Sequence, residues 1–211
     1  MKWINNFSKT RIPYYIYKLN TGDSILYFNN SKQNQYIVVL EGILYVLKIF
    51  SNKKAFFVGV INKNNILDLT KINDKLDYYY KAIALNKTYI ISFSINNKNN
   101  INSKIFFNII KAQKLTIKKY ELINCILKQK YYKYKVLQII LFLFIEFGTI
   151  NNKQLSLSFK ISQQKLGLIT GINQTKVNKI INLLANQKII QFSSRKTIHI
   201  QNIYRLFFLY C

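Results

Sequence analysis

Acidic residues are scarce in this sequence. Seven Asp and Glu stand against 32 Lys and Arg, which leaves a formal net charge of +25 and a pI of about 10.0. A surplus of that size calls for an anionic polymer or surface as partner, most economically nucleic acid. Cysteine occurs at Cys125 and Cys211 alone, which excludes a disulfide framework and a Cys-rich zinc site. A single histidine, His199, excludes multi-His metal sites and is a poor basis for acid–base catalysis. There is no Gly-rich phosphate loop, no paired carboxylate motif and no Ser/His/Asp set, so an enzyme is not expected. No apolar run reaches the ~18 residues that cross a bilayer. The most apolar stretch, Val136 to Phe147, is broken by Gln138 and Glu146 and reads as a buried helix. Met1 to Asn6 lacks the apolar core of a signal peptide. The expectation is a soluble protein with no membrane partner.

What is present fits a folded chain. Half of the 211 residues are hydrophobic, enough for a real core in one large or two small domains. The excess residues are Lys, Asn, Ile, Tyr and Phe, all encoded by AT-rich codons, and Arg occurs only at positions 11, 195 and 205. Part of the lysine surplus therefore reflects codon bias, and placement has to carry the functional argument.

Residues 14 to about 95 read as strands. Tyr14–Tyr17, Ser24–Phe28, Gln35–Leu40, Ile43–Phe50, Ala55–Ile61, Tyr78–Leu85 and Thr88–Phe93 are β-branched or aromatic and are bounded by turn residues. Such spacing predicts an antiparallel barrel or sandwich. Asn96 to Asn102 reads as a loop or short helix. From Ser103 to about Lys130 the period becomes helical, with Phe106, Ile110, Gln113, Ile117, Tyr120, Ile123 and Leu127 mostly three or four apart. So long a helix must pack on something, either the β domain or a second copy of itself, and pattern alone weighs the two equally. Its candidate dimer contacts are Phe106, Ile110, Ile117, Tyr120 and Leu127.

A second helix is predicted over Tyr132 to Phe147, capped by Gly148. Gln154 to Lys160 alternates as a strand. Ser162 is a good N-cap for a helix over Gln163–Ile169, Gly171 makes a turn, and Asn173 caps a helix from Gln174 to about Asn186. Strands at Ile189–Phe192 and Thr197–Ile200 flank Ser193 to Lys196. Helix, turn, helix and a two-stranded wing make a winged helix-turn-helix. Every acid lies at or before Glu146, so the segment that carries this pattern is acid-free. Phosphate binding requires that sign of charge there.

The stretch from Lys160 to Ile190 resembles the helix-turn-helix of the CRP/FNR superfamily of bacterial transcription regulators. Ser162 opens the first helix, Gly171 sits in the turn, Lys179 lies in the middle of the recognition helix, and a Leu-rich end leads to Ile189-Ile190 and a basic wing. Gly22-Asp23 and Val39 to Gly42 resemble that family's β-roll signatures. Asp77 to Leu85 and Phe147-Gly148 resemble its cyanobacterial nitrogen-regulator branch, of which red-algal plastids carry a copy. The resemblance implies an α+β fold in three parts. A double-stranded β-helix of the cyclic-nucleotide-binding type covers residues 1–102, a dimerisation helix 103–130 and the winged helix-turn-helix 131–211. It implies a homodimer on double-stranded DNA that controls nitrogen-related genes, RNA polymerase as a further partner, and a plastid stroma or bacterial cytoplasm.

Carried over position by position, Ser162 and Gln163 would anchor the first helix to phosphates, with Asn173 at the next cap. Gln174, Thr175 and Lys179 would meet base edges, and Lys176, Arg195 and Lys196 phosphates. Gln174 stands where the family commonly has Arg. Gln suits adenine and Arg suits guanine, so the half-site is left open. The effector site would be built on Leu67, Asp68, Tyr78 and Glu121. Cyclic nucleotide is not expected, because Lys63 to Thr70 lacks the Gly-x-x-x-Gly-Glu stretch and its following Arg. The branch's 2-oxoglutarate would lack its arginines, leaving Lys81, Lys114 or Lys118 to substitute. Haem and iron–sulfur sensing do not fit Cys125, Cys211 and His199. Cys125 reads as a core thiol. The rival reading is a basic RNA- or ribosome-binding protein. It ranks second because Tyr78 to Tyr80 and Tyr131-Tyr132 lie outside the acid-free region.

Overall fold

A computed structural model describes residues 2–9, 12–28, 34–68, 78–95, 103–151, 154–192 and 197–200. The chain divides into two compact units, Met1–Glu121 and Leu122–Cys211, and the division falls inside the long helix. Strands and helices are mixed, as the α+β expectation requires.

The first unit starts with a helix, α1 (Lys2–Ser8), followed by β1 (Tyr14–Leu19), β2 (Ser24–Phe28), β3 (Asn34–Glu41), β4 (Ile43–Phe50), β5 (Ala55–Asn62), β6 (Ile66–Asp68), β7 (Tyr78–Ala84) and β8 (Thr88–Ile95). Two antiparallel sheets form, in the orders β1-β8-β3-β6 and β2-β7-β4-β5. Side-chain alternation sorts their residues. Ile37, Val39, Leu67 and Ile90 join Leu44, Val46, Ile61, Ala82 and Ala84 in one core cluster. Their neighbours Val38, Ile66 and Ile91 belong to another, with Trp3 and Phe7 of α1. The β1-β8-β3-β6 sheet is therefore covered on both faces, which explains the unbroken apolar run Ile37 to Leu40. Helix α1 and strand β6 are not among the predicted elements. The one local signal for α1 is Trp3 and Phe7 at i, i+4, whose rings stack at 6.0 Å.

Helix α2 (Ser103–Leu127) answers the question of what the long helix packs on. Ile105, Ile109 and Ala112 enter the α1-side cluster, and Thr116 Oγ1 accepts the backbone N–H of Ile66 at 3.0 Å. The roll-facing stripe thus lies one residue away from the one read in the sequence. Of that sequence stripe, Phe106, Ile110 and Ile117 are 54%, 45% and 54% exposed, and Leu127 is half-buried. Tyr120 corrects the expectation. Its ring packs on the core between the sheets, and burial pushes its hydroxyl pKa upward. Ile123, also on the predicted stripe, is buried. Cys125 is exposed rather than a core thiol.

Gly59 on β5 makes room for Tyr120, since a Cβ there would lie 2.3 Å from Tyr120 Cε1. Gly59→Ala is expected to cost about 1–3 kcal/mol by overpacking, read as a lower urea midpoint. An unchanged midpoint would show that Tyr120 moves aside without penalty.

The second unit holds α3 (Tyr132–Phe147), β9 (Gly148–Asn151), β10 (Gln154–Leu157), α4 (Gln163–Thr170), α5 (Gln174–Asn186), β11 (Gln191–Phe192) and β12 (Ile198–Ile200). The strands form one antiparallel sheet in the order β11-β12-β10-β9. Helix α3 is buried along Val136, Ile140 and Phe144, and it touches α4 and α5. Gly148 is the C-cap expected, its backbone N–H donating to the Phe144 carbonyl. Its φ of −74° and ψ of 150° are extended, and the chain passes directly into β9. A Cβ there would lie 2.3 Å from the Phe144 carbonyl oxygen, so glycine permits a close approach, not a special φ.

Candidate nucleic-acid interface

Local chemistry sets out this site residue by residue. Ser162 Oγ accepts the backbone N–H of Lys165 at 3.1 Å and caps α4. Thr170 Oγ1 donates back to the Leu166 carbonyl at 2.7 Å. Gly171 then takes φ 67° and ψ 22°, the left-handed geometry that ends a helix and that L side chains resist. Ile172 is buried beneath the turn, and its N–H donates to the Gly167 carbonyl. Asn173 Oδ1 accepts the backbone N–H of Thr175 at 2.9 Å, so the second cap follows at once. Both caps and the turn stand where the sequence put them.

Helix α5 is two-faced. Val177, Ile181 and Leu184 are fully buried and fix its rotation against the unit. Gln174, Thr175, Lys176 and Lys179 are exposed, together with Asn182, which sequence reading passed over. Asn182 lies at i+3 from Lys179 and i+7 from Thr175, so helical period alone could have found it. On α4, Ser162 is exposed and Gln163 is half-buried. Lys165 is partly buried, which holds its ammonium pKa below the usual lysine range. Arg195 and Lys196 lie outside the described residues. His199 sits on β12 as expected, with its Nδ1 buried and unpartnered.

One contact has no counterpart in the sequence reading. Lys176 Nζ lies 5.0 Å from the ring centroid of Tyr132, at the start of α3. Tyr132, which lies outside the acid-free segment, thus borders the exposed face of α5.

The candidate effector residues are brought together only in part. A cleft of about 330 Å³ in the first unit is lined by Leu67 and Asp68 of β6, Val58, Tyr80, and Gln113, Ile117 and Tyr120 of α2. Asp68 Oδ2 accepts from Gln113 Nε2 at 3.2 Å. Tyr78 is not among the described lining residues. It meets the rings of Phe50 and Tyr80, with Lys48 Nζ 3.6 Å from its ring centroid. Glu121 is exposed on α2, beside a shallow groove it shares with Lys114 and Lys118. The described residues lining the cleft supply a carboxylate and no cation. No group of three His, Cys, Asp or Glu is placed to hold a metal among the described residues. Within the same residues, no helix is long and apolar enough to cross a membrane.

Comparison with known proteins agrees with this architecture. No family model matches the chain. A Porphyra purpurea protein named as an HTH-type transcriptional regulator, ycf28, is 24% identical over 201 residues, which cover 93% of this chain and 82% of that protein. A CRP/FNR-family transcriptional regulator of Thermus thermophilus superposes with a TM-score of 0.70 at 16% identity, over 92% of this chain and 97% of its own. FixK2 of Bradyrhizobium japonicum superposes with a TM-score of 0.68 at 15% identity, over 94% and 98%. The structural likeness is one of fold, and it agrees with the α+β fold that the resemblance implies.

Proposed function

We propose that this chain, whose fold is that of the CRP/FNR regulators, is a sequence-specific DNA-binding transcription regulator that acts as a homodimer. The observation that carries the reading is the outward face of α5. Gln174, Thr175, Lys176, Lys179 and Asn182 present amide, hydroxyl and ammonium groups, and no acid occurs after Glu146 to repel phosphate. The exposed apolar stripe Phe106, Ile110 and Ile117 supports pairing through α2. A two-fold pair sets its recognition helices in successive major grooves, about 34 Å apart. Recruitment of RNA polymerase, control of nitrogen-related genes and a place in the plastid stroma extend this reading. They rest on the resemblance, on the AT-rich composition and on the name of the Porphyra relative, and the genomic fragments the protein selects test them.

The cleft beside β6 is read as the regulatory pocket, for an effector other than a dicarboxylate, because its described lining supplies no cation. The test is a fluorescence titration of duplex DNA pools and structured RNA at physiological salt. Selection of one duplex sequence over the pool is expected, with no response to added 2-oxoglutarate. Equal, sequence-blind affinity for DNA and RNA would favour the RNA-binding alternative. A midpoint moved by 2-oxoglutarate would return the dicarboxylate to the cleft.

A further inference from the structure

The second unit carries a basic, aromatic run that neither cap nor core explains. Lys128, Lys130, Lys133 and Lys135 alternate with Tyr131, Tyr132 and Tyr134 around the start of α3. All are exposed except Lys135, which is half-buried. The three tyrosines are 62%, 49% and 48% exposed. Tyr131, the N-cap of α3, makes no side-chain capping bond, and the first turn holds no acid. Lysines at a helix N-terminus oppose the macrodipole, so the arrangement is unfavourable for the isolated helix and favourable to a bound anion. Lys176 of α5, over the ring of Tyr132, joins the run to the recognition helix.

We infer that Lys128 to Lys135 is a second phosphate-binding surface, continuous with α5, that grips the backbone of duplex DNA flanking the bases α5 reads. This rests on the DNA-binding reading and deepens it. Charge decides the class of partner. Ring geometry decides against a stacking platform for single strands. The rings of Tyr131 and Tyr134 meet edge to face at 78°, and Lys176 covers Tyr132, so no ladder of parallel rings faces outward. What Tyr131 and Tyr134 offer is hydroxyl donors, which suit phosphate oxygens. Tyr132 acts as a positioning residue that holds Lys176 toward the same backbone.

The experiment compares the full-length protein with a variant in which Lys128, Lys130, Lys133 and Lys135 are Gln, on mixed-sequence duplexes of about 40 bp and about 12 bp over a salt series. Each lysine that meets a phosphate contributes about 0.9 to the slope of log affinity on log salt. On the long duplex the variant's slope is expected to be shallower by about 2 or more. On the short duplex, which ends within the reach of α5, the two proteins should agree. Tyr132→Ala should weaken long-duplex binding several-fold, and Tyr132→Phe, which keeps the ring under Lys176, should restore it. Equal slopes on the long duplex, or a preference for the single strand of the same sequence, would overturn the inference and leave α5 as the reader. Wild-type protein that shows no salt-dependent duplex binding would overturn both readings.

Discussion

Replacing Gln174 and Lys179 together with Ala is expected to erase discrimination between the selected duplex and mixed-sequence DNA while leaving the fold intact. The two side chains lie on the exposed face of α5, whereas Val177, Ile181 and Leu184 hold the helix from the other side. Truncation therefore opens no cavity. A good bidentate base contact is worth about 1–3 kcal/mol of discrimination. Two such contacts give about 2–6 kcal/mol, a loss of roughly 30-fold to 10⁴-fold in the specificity ratio. Mixed-sequence affinity should change much less, because it rests on the total of phosphate contacts. Footprinting on the selected site reads the result. An unchanged footprint would remove α5 from base reading.

The second large effect concerns assembly. Ile110→Glu combined with Ile117→Glu should convert a dimer to monomers in sedimentation velocity at micromolar protein. Both residues are about half exposed in the single chain, and the roll is held instead by Ile105, Ile109 and Ala112. Two carboxylates per protomer would have to be buried without partners, and two-fold symmetry doubles the count. That cost, several kcal/mol per unpaired buried ion, opposes pairing through this stripe. Urea unfolding of the roll should stay near its wild-type midpoint. A persistent dimer would place the interface elsewhere. Tyr120 is left out of this variant, since its ring belongs to the core between the sheets and changing it would test folding.

The helix-turn-helix was legible because its determinants are local. A serine cap, a left-handed glycine, an asparagine cap and a buried 177, 181, 184 stripe all act within one or two helical turns. Seven strands of the roll were legible for the same reason, as alternation and turn residues are short-range signals. Strand β6 was not, because three residues cannot show a period. Neither was the cover of α1 on the roll, since a seven-residue helix gains its stability from packing rather than propensity.

Sequence by itself determined the sign of the net charge, its acid-free placement after Glu146, and the positions of α4, α5 and their caps. All of these follow from residue identity and nearest neighbours along the chain. Tertiary structure alone decided which of two adjacent stripes of α2 meets the roll, why Gly59 must lack a side chain, and that Tyr132 lies under Lys176. Each depends on side chains brought together from distant parts of the chain. Helical period marks α2 as amphipathic without saying what lies opposite, and no spacing rule connects residue 132 to residue 176.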